Sequence, residues 1–186
     1  FTGNLKLKEK NSSNLNGSIN WVCNWSLNYT NFFRSYCNLI NTSDGGTHET
    51  GFWNAILKGV KSYGELVGNK KVAQVVKEDI NLNLCGIISL FISNPTFSGQ
   101  TKDKLTTQEV LKSVEITVKS LFENWLTNDP KNANQLLENF IAKSEERIRK
   151  KNEKDTLRKS AVKKLRLPGK LSDCLQNSKQ GSEIFI

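Results

Sequence analysis

Lys102 is the residue in this 186-residue chain whose neighbours best suit it to chemistry, because it closes the short run Gly99-Gln100-Thr101-Lys102. That run follows a nearly all-apolar stretch, 84–92, and precedes a segment with helical periodicity. A rigid strand end can aim an ammonium outward, and an ammonium is a good point-charge partner for a phosphate. A solvated loop lysine fits the same pattern, so spacing alone does not decide between the two. Other chemistry is thinly represented. The sole histidine, His48, has no nucleophile at a recognisable spacing and reads as a residue that holds the first turn of a helix. Neither a Walker A loop nor G-x-G-x-x-G occurs. The carboxylates are scattered, and Asp44 and Glu49 flank a helix start and read as structural. Cys23, Cys37, Cys85 and Cys174 include no C-x-x-C pair, so no metal site is expected.

A second feature is concentrated charge. Residues 143–170 hold twelve Lys/Arg and four Asp/Glu, a net of +8 in a chain whose total is +9. A near-neutral body with one basic arm suits a polyanion such as nucleic acid. Lys150, Lys151, Arg158, Lys159, Lys163 and Lys164 are the candidate contacts. A solvated helix face is the plainer reading of the same run.

Composition narrows the class. Hydrophobic residues make up 37% and charged residues 24%, which suits a folded domain with its own core. No apolar run reaches the roughly 20 residues that span a bilayer, so no membrane partner is expected. The chain has no Met, even at position 1, and reads as a piece of a longer protein. Cys23, Cys37 and Cys85 fall in apolar strand-like runs, so all four cysteines read as reduced and the compartment as cytoplasmic. Asn11, Asn16, Asn24, Asn28 and Asn41 begin glycosylation sequons. The chain is Asn-rich throughout and Lys outnumbers Arg 22 to 5, so an AT-rich coding bias explains them without a secreted glycoprotein.

The elements that position these residues follow from periodicity. Residues 1–18 read as a loop or an edge strand. Ile19, Trp21, Cys23, Trp25, Leu27 and Tyr29 alternate with polar residues, which predicts a half-buried strand. Residues 32–40 predict a second strand, its antiparallel neighbour by virtue of the short connection. Gly45-Gly46 ends that strand, and Thr47 is expected to cap a helix reaching about Leu66, with Phe52, Ile56, Val60, Tyr63 and Leu66/Val67 on one face. A short helix is expected near 71–77. The apolar run 84–92 predicts a central strand covered on both faces. Residues 94–105 read as a loop, and Thr106 with Glu109 as a capping box for a helix carrying Val110, Val114, Val118, Phe122 and Trp125. Asp129-Pro130 opens a further helix whose apolar stripe persists to about Ile148 and then gives way to charge.

Three blocks carry a family resemblance: YCNLINTSDGGTHETGF (36–52), NPTFSGQTKDKL (94–105) and RLPGKLSDC (166–174). In order and spacing they resemble signature blocks of the ATPase component of bacterial type IIA topoisomerases. AILKGVKSYGELVGNKK and EERIRKKNEKDTLRKSAVKKLRLPGKL look closer to the B subunit of the topoisomerase IV branch than to the B subunit of gyrase. The resemblance implies the transducer domain, an α+β fold of the ribosomal protein S5 domain 2-like type: a mixed sheet packed with helices, followed by a long basic C-terminal helix. It implies a body at 1–130, a long helix at 131–165 that is basic in its second half, and a linker with the truncated start of a TOPRIM domain at 166–186.

It also implies a site. The family's Q-T-K loop matches Gln100, Thr101 and Lys102 without substitution, so Lys102 would reach the γ-phosphate of ATP in a neighbouring GHKL-type domain, assisted by Gln100. The general base and the Mg2+ ligands would lie outside this chain, and the fragment alone would be inactive. The implied parent is an ATP-hydrolysing type II topoisomerase that decatenates and relaxes DNA during chromosome segregation. Its implied partners are double-stranded DNA, the ATP-binding and TOPRIM domains of the same chain, and the A subunit of topoisomerase IV in a heterotetramer. The alternatives are the transducer of a gyrase B subunit and a free-standing basic nucleic-acid-binding adaptor.

Overall fold

The computed structural model describes residues 1–7, 16–26 and 31–163, with 157–163 described as helix backbone. The expectations for Asn11, Leu27, Asn28, Tyr29, Lys164, Cys174 and the segment 166–186 lie outside the described residues. Strands β1 (Thr2–Leu7), β2 (Gly17–Trp25), β3 (Phe32–Cys37), β4 (Ile40–Asn41) and β5 (Leu84–Ile92) form one sheet ordered β1-β2-β5-β3-β4. Residues 2–7 thus take the edge-strand option, paired antiparallel with β2.

The sheet is mixed, and its order corrects one expectation. β2 pairs antiparallel with β5, and β3 pairs parallel with β5, so β2 and β3 run in opposite directions but are not neighbours. A short connection fixes relative direction. It does not prevent a later strand from inserting between the two, because pairing is decided by contacts distant in sequence.

Helices α1 (Thr47–Leu66) and α3 (Gln108–Asn128) contribute to one core with the inward face of the sheet. Between them lie a 3-10 turn (Lys70–Gln74) and α2 (Lys77–Asn81), where the sequence predicts a single short helix. Ile19, Trp21 and Cys23 from β2 join Ile88 and Leu90 from β5 in the core, together with Phe52 and Ile56 of α1 and Val114 and Phe122 of α3. Trp21 lies 6.5 Å from Phe52, and Phe33 lies 5.9 Å from it. α1 and α3 approach closely at two glycines: a Cβ on Gly51 would lie 2.5 Å from the Leu111 carbonyl oxygen, and one on Gly59 2.7 Å from the Phe122 ring. Leu66 and Val67 leave the expected stripe and stand in solvent, because α1 ends there.

β5 is central, but it is not covered on both faces. On the outward face Val22 pairs with Ile87, and Phe32 lies opposite Cys85 on the same face; Val22, Ile87 and Phe32 are 48%, 39% and 46% exposed. An all-apolar run does not encode which of its faces is buried. Helix α4 (Pro130–Lys163) begins as the sequence indicates: Asp129 Oδ1 accepts the Asn132 amide at 3.2 Å, with Pro130 in the first turn. Ala133, Leu137, Phe140 and Ile141 are buried, and Phe140 meets Trp25 edge-on at 5.8 Å. By compactness the chain divides into residues 1–145 and 146–186.

Candidate functional site

The segment expected as a plain loop is a small antiparallel ribbon, β6 (Phe97–Ser98) with β7 (Lys104–Leu105). Two-residue strands carry no readable alternation, which is why pattern analysis missed them. Gln100, Thr101 and Lys102 form its exposed tip. Gly99 has φ +80° and Lys102 has φ +61°. Lysine rarely adopts that left-handed conformation, which costs about 1 kcal/mol or more relative to the ordinary regions. The backbone is therefore bent at the residue whose ammonium is exposed, and no described residue pairs with that ammonium.

The base of the ribbon is fastened to the turn that opens α1. The Asp44 amide donates to the Asp103 carbonyl at 2.9 Å, and the Leu105 amide donates to the Gly45 carbonyl at 3.1 Å. The Ser43 hydroxyl donates to Asp103 Oδ1 at 3.1 Å. Gly46 bridges to Leu105, and a Cβ there would lie 2.4 Å from the Leu105 carbonyl oxygen. Gly46 also has φ +145°, so glycine is demanded twice, by conformation and by space. On the other side, the Thr106 amide donates to the Thr96 carbonyl at 2.8 Å, and the Thr96 amide donates to Thr107 Oγ1 at 2.9 Å. The motif at 36–52 and the motif at 94–105 are two halves of one structural unit.

These bonds overturn two capping expectations. Thr47 does not cap α1: the cap position is Gly46, with no side-chain bond, and the Thr47 hydroxyl is buried without a partner. Thr106 and Glu109 form no capping box, because the cap position of α3 is Thr107 and both threonine hydroxyls are engaged by Thr96. At α3 the contacts with Thr96 have taken the groups that the helix start was expected to use, whereas at α1 Gly46 holds the cap position.

Beneath the α1 turn lies a buried polar cluster that sequence reasoning did not find. The Thr42 hydroxyl donates to the Ser35 carbonyl at 2.9 Å and lies 2.7 Å from Ser35 Oγ and 3.3 Å from His48 Nε2. Ser35 Oγ contacts Glu49 Oε2 at 3.1 Å, and Trp53 Nε1 donates to Glu49 Oε1 at 3.3 Å. His48 is fully buried in the first turn of α1, and burial pushes its imidazole down to about 4. It therefore stays neutral at pH 7 and serves as a structural partner. The only sequence signal for this cluster was the density of Ser, Thr, His and Glu around DGG, which does not say what they touch.

The basic segment is organised differently. Lys143 donates to the Leu82 carbonyl at 2.7 Å and to Asn83 Oδ1 at 2.9 Å, so it belongs to the body. Lys150 pairs with Glu146 at 2.6 Å, which holds that carboxyl below the usual range, and Arg149 approaches Glu153 at 3.9 Å. Lys151 is exposed, and Arg158, Lys159 and Lys163 lie on the described α4 backbone. Cys23 and Cys37 are buried free thiols, raised to about 12 and about 11 by burial. Among the described residues no three His, Cys, Asp or Glu side chains form a metal-holding group, and no helix is long and apolar enough to cross a membrane.

The geometry has counterparts in known proteins. A family profile described as DNA gyrase B matches residues 2–156. The chain is 48% identical over 186 residues to the B subunit of DNA topoisomerase 4 from Rickettsia bellii, covering all of this chain and 28% of that protein. It therefore spans little more than a quarter of the length of that relative. A solved Francisella tularensis topoisomerase IV ATP-binding domain superposes with TM-score 0.66 at 33% identity, over 79% of this chain and 40% of that one. The 43K ATPase domain of Thermus thermophilus gyrase B shares the fold, with TM-score 0.65 at 22% identity over 84% and 42% of the two chains. The mixed α+β fold is that of these ATPase-region structures, and the chain belongs to the DNA gyrase B family.

Proposed function

We propose that this chain is the transducer segment, of the ribosomal protein S5 domain 2-like type, in the B subunit of an ATP-dependent type IIA topoisomerase of the topoisomerase IV kind. Residues 1–130 form its body, 131–165 the helix leading toward the DNA gate, and 166–186 the link to a TOPRIM domain. The observation that carries this reading is the exposed Lys102 ammonium on a ribbon clamped to the turn that opens α1. A preorganised cation aimed at developing negative charge stabilises a phosphoryl-transfer transition state. In this reading Lys102, with Gln100 and Thr101 beside it, meets the γ-phosphate of ATP bound by the adjoining GHKL-type domain of the same chain. Bound ATP with Mg2+ supplies the hydrolysable phosphate. Lys102 supplies one charge and reports whether that phosphate is present.

The donor set fits this supporting role. A free ammonium on an exposed tip can complete an anion site built elsewhere. A single such contact is worth about 1 kcal/mol or less in isolation, so residues 1–186 alone should not bind ATP at micromolar concentration. In the parent, strand passage would decatenate and relax double-stranded DNA in a cytoplasmic heterotetramer with the A subunit of topoisomerase IV. Lys150, Lys151, Arg158, Lys159, Lys163 and Lys164 would give any DNA contact by this segment a weak, sequence-independent and salt-sensitive character.

The test is Lys102→Ala in the full-length enzyme, with steady-state ATP turnover and decatenation as readouts. Turnover should fall about 10²–10³-fold, the usual loss for one such donor. Lys102→Arg should not restore it fully, since a planar fork does not replace a compact ammonium. Lys104→Ala is the control and should matter far less. Near-normal turnover in Lys102→Ala, or a larger defect in Lys104→Ala, overturns the assignment.

A further inference from the structure

We propose that Thr42 is the positioning residue for the Lys102 ribbon, acting through the turn at 42–45. This deepens the reading of Lys102 as a γ-phosphate contact and rests on it.

The ribbon has only two rungs, Phe97 with Leu105 and Ser98 with Lys104. An isolated hairpin of that length has little stability of its own. The placement of Lys102 is therefore set by what the ribbon base is fastened to. On the Lys102 side of the base, that anchor is the stretch Ser43-Asp44-Gly45, which bonds Asp103 and Leu105 at 2.9–3.1 Å, while Thr96 holds the other side through Thr106 and Thr107. Asp103 is the next residue after Lys102, so a rotation of the anchor passes directly into the tip.

The anchor is itself an irregular turn, and Thr42 is where it meets the sheet and the helix. The Thr42 amide and hydroxyl both donate to the Ser35 carbonyl, each at 2.9 Å. The Thr42 carbonyl accepts the Gly45 amide at 3.0 Å and the Ser35 hydroxyl at 3.0 Å. The hydroxyl also faces His48 Nε2 at 3.3 Å on α1. Ser35 belongs to β3, so one buried hydroxyl ties strand, turn and helix together. In a buried site such a bond fixes a unique arrangement, and its loss leaves polar groups without partners.

The substitution Thr42→Val keeps the shape and removes the hydroxyl. The ribbon can still form, since its anchoring bonds are to backbone and to Ser43, but the turn loses the hydroxyl that ties it to β3 and α1, and its direction is less tightly fixed. A misplacement of about 1 Å can cost on the order of 10²-fold in rate. In the full-length enzyme, Thr42→Val should lower kcat for ATP about 10–100-fold while leaving KM within about threefold, and Thr42→Ser should restore most of the rate.

A double-mutant cycle separates positioning from mere destabilisation. On a Lys102→Ala background, Thr42→Val should cost less than about twofold further, because the group it positions is gone. Equal losses on both backgrounds, or no loss in Thr42→Val while Lys102→Ala is severely impaired, overturn the role of Thr42 and leave the Lys102 reading intact. An unimpaired Lys102→Ala overturns the Lys102 reading itself. If Thr42→Val does not fold, the exposed Ser43→Ala decides, since it cuts only the tether to Asp103. It should lower kcat about threefold with the same non-additivity, and an unchanged rate or an additive loss counts against the proposal.

Discussion

Lys102 and Lys150 are both solvent-facing lysines, yet the molecule treats them in opposite ways. Lys102 sits on a backbone bent to φ +61° and fastened through Asp103 and Leu105 to the opening of α1, with no described residue on its ammonium. Lys150 sits on regular helix, where Glu146 one turn back takes its charge at 2.6 Å. Exposed pairs of that kind contribute little to stability and rearrange freely. One region organises a single charge. The other carries many charges on regular helix, with Lys150 and Arg149 facing carboxylates one turn away. Charge density in the sequence therefore drew attention to 143–170, while the structural investment lies at 97–105.

The sharpest way to break the contrast is to unseat the ribbon. Gly46→Ala would place a methyl 2.4 Å from the Leu105 carbonyl at φ +145°. Combined overpacking and strain should cost roughly 3 kcal/mol or more, read as a fall in melting temperature. A variant with wild-type melting would mean that the ribbon base does not need its close approach.

A pH titration probes the cluster below the ribbon. The unfolded imidazole titrates near 6.5, and the folded one is pushed down to about 4 by burial. Between those values the unfolded chain holds the extra proton. The stability owed to neutral His48 is thus complete above about pH 6.5 and is lost as the pH falls to about 4. The loss should reach up to about 3 kcal/mol. Denaturant melts across that range should show it, and His48→Gln should flatten the curve. A wild-type curve already flat there would contradict the burial argument.

Lys102→Gly separates conformation from charge. Glycine tolerates φ +61°, so stability should stay level or rise by up to about 1 kcal/mol while turnover in the full-length enzyme collapses. The smallest effect belongs to the other region. Reversing Lys150 and Lys151 together should move the melting temperature of the fold by an amount equivalent to about 0.5 kcal/mol or less. A large destabilisation there would show that the helix charges hold the fold together.

Much of the body was legible from local pattern. The alternation of Ile19, Trp21 and Cys23, the stripe of Val110, Val114, Val118 and Phe122, and the Asp129-Pro130 start each report a period or a cap that neighbouring residues determine. What was not legible depends on partners distant in sequence. The insertion of β5 between β2 and β3, and the open face carrying Val22, Ile87 and Phe32, are decided by pairing across the chain. The same holds at the site. Position after an apolar strand marked Lys102 only weakly, since a solvated loop lysine fits the same pattern, and the motif resemblance gave it a role. The Ser43–Asp103 tether joins residues 60 positions apart, and no local rule connects them.

Hydrogen exchange in the full-length enzyme compares the two regions in one experiment. With a non-hydrolysable triphosphate analogue, the peptide covering residues 97–105 should gain protection, while the peptide covering 146–156 should not change. With ADP, neither should respond. Equal protection of 97–105 by both nucleotides, or protection confined to the helix, would contradict the claim that the clamped ribbon carries Lys102 to a γ-phosphate.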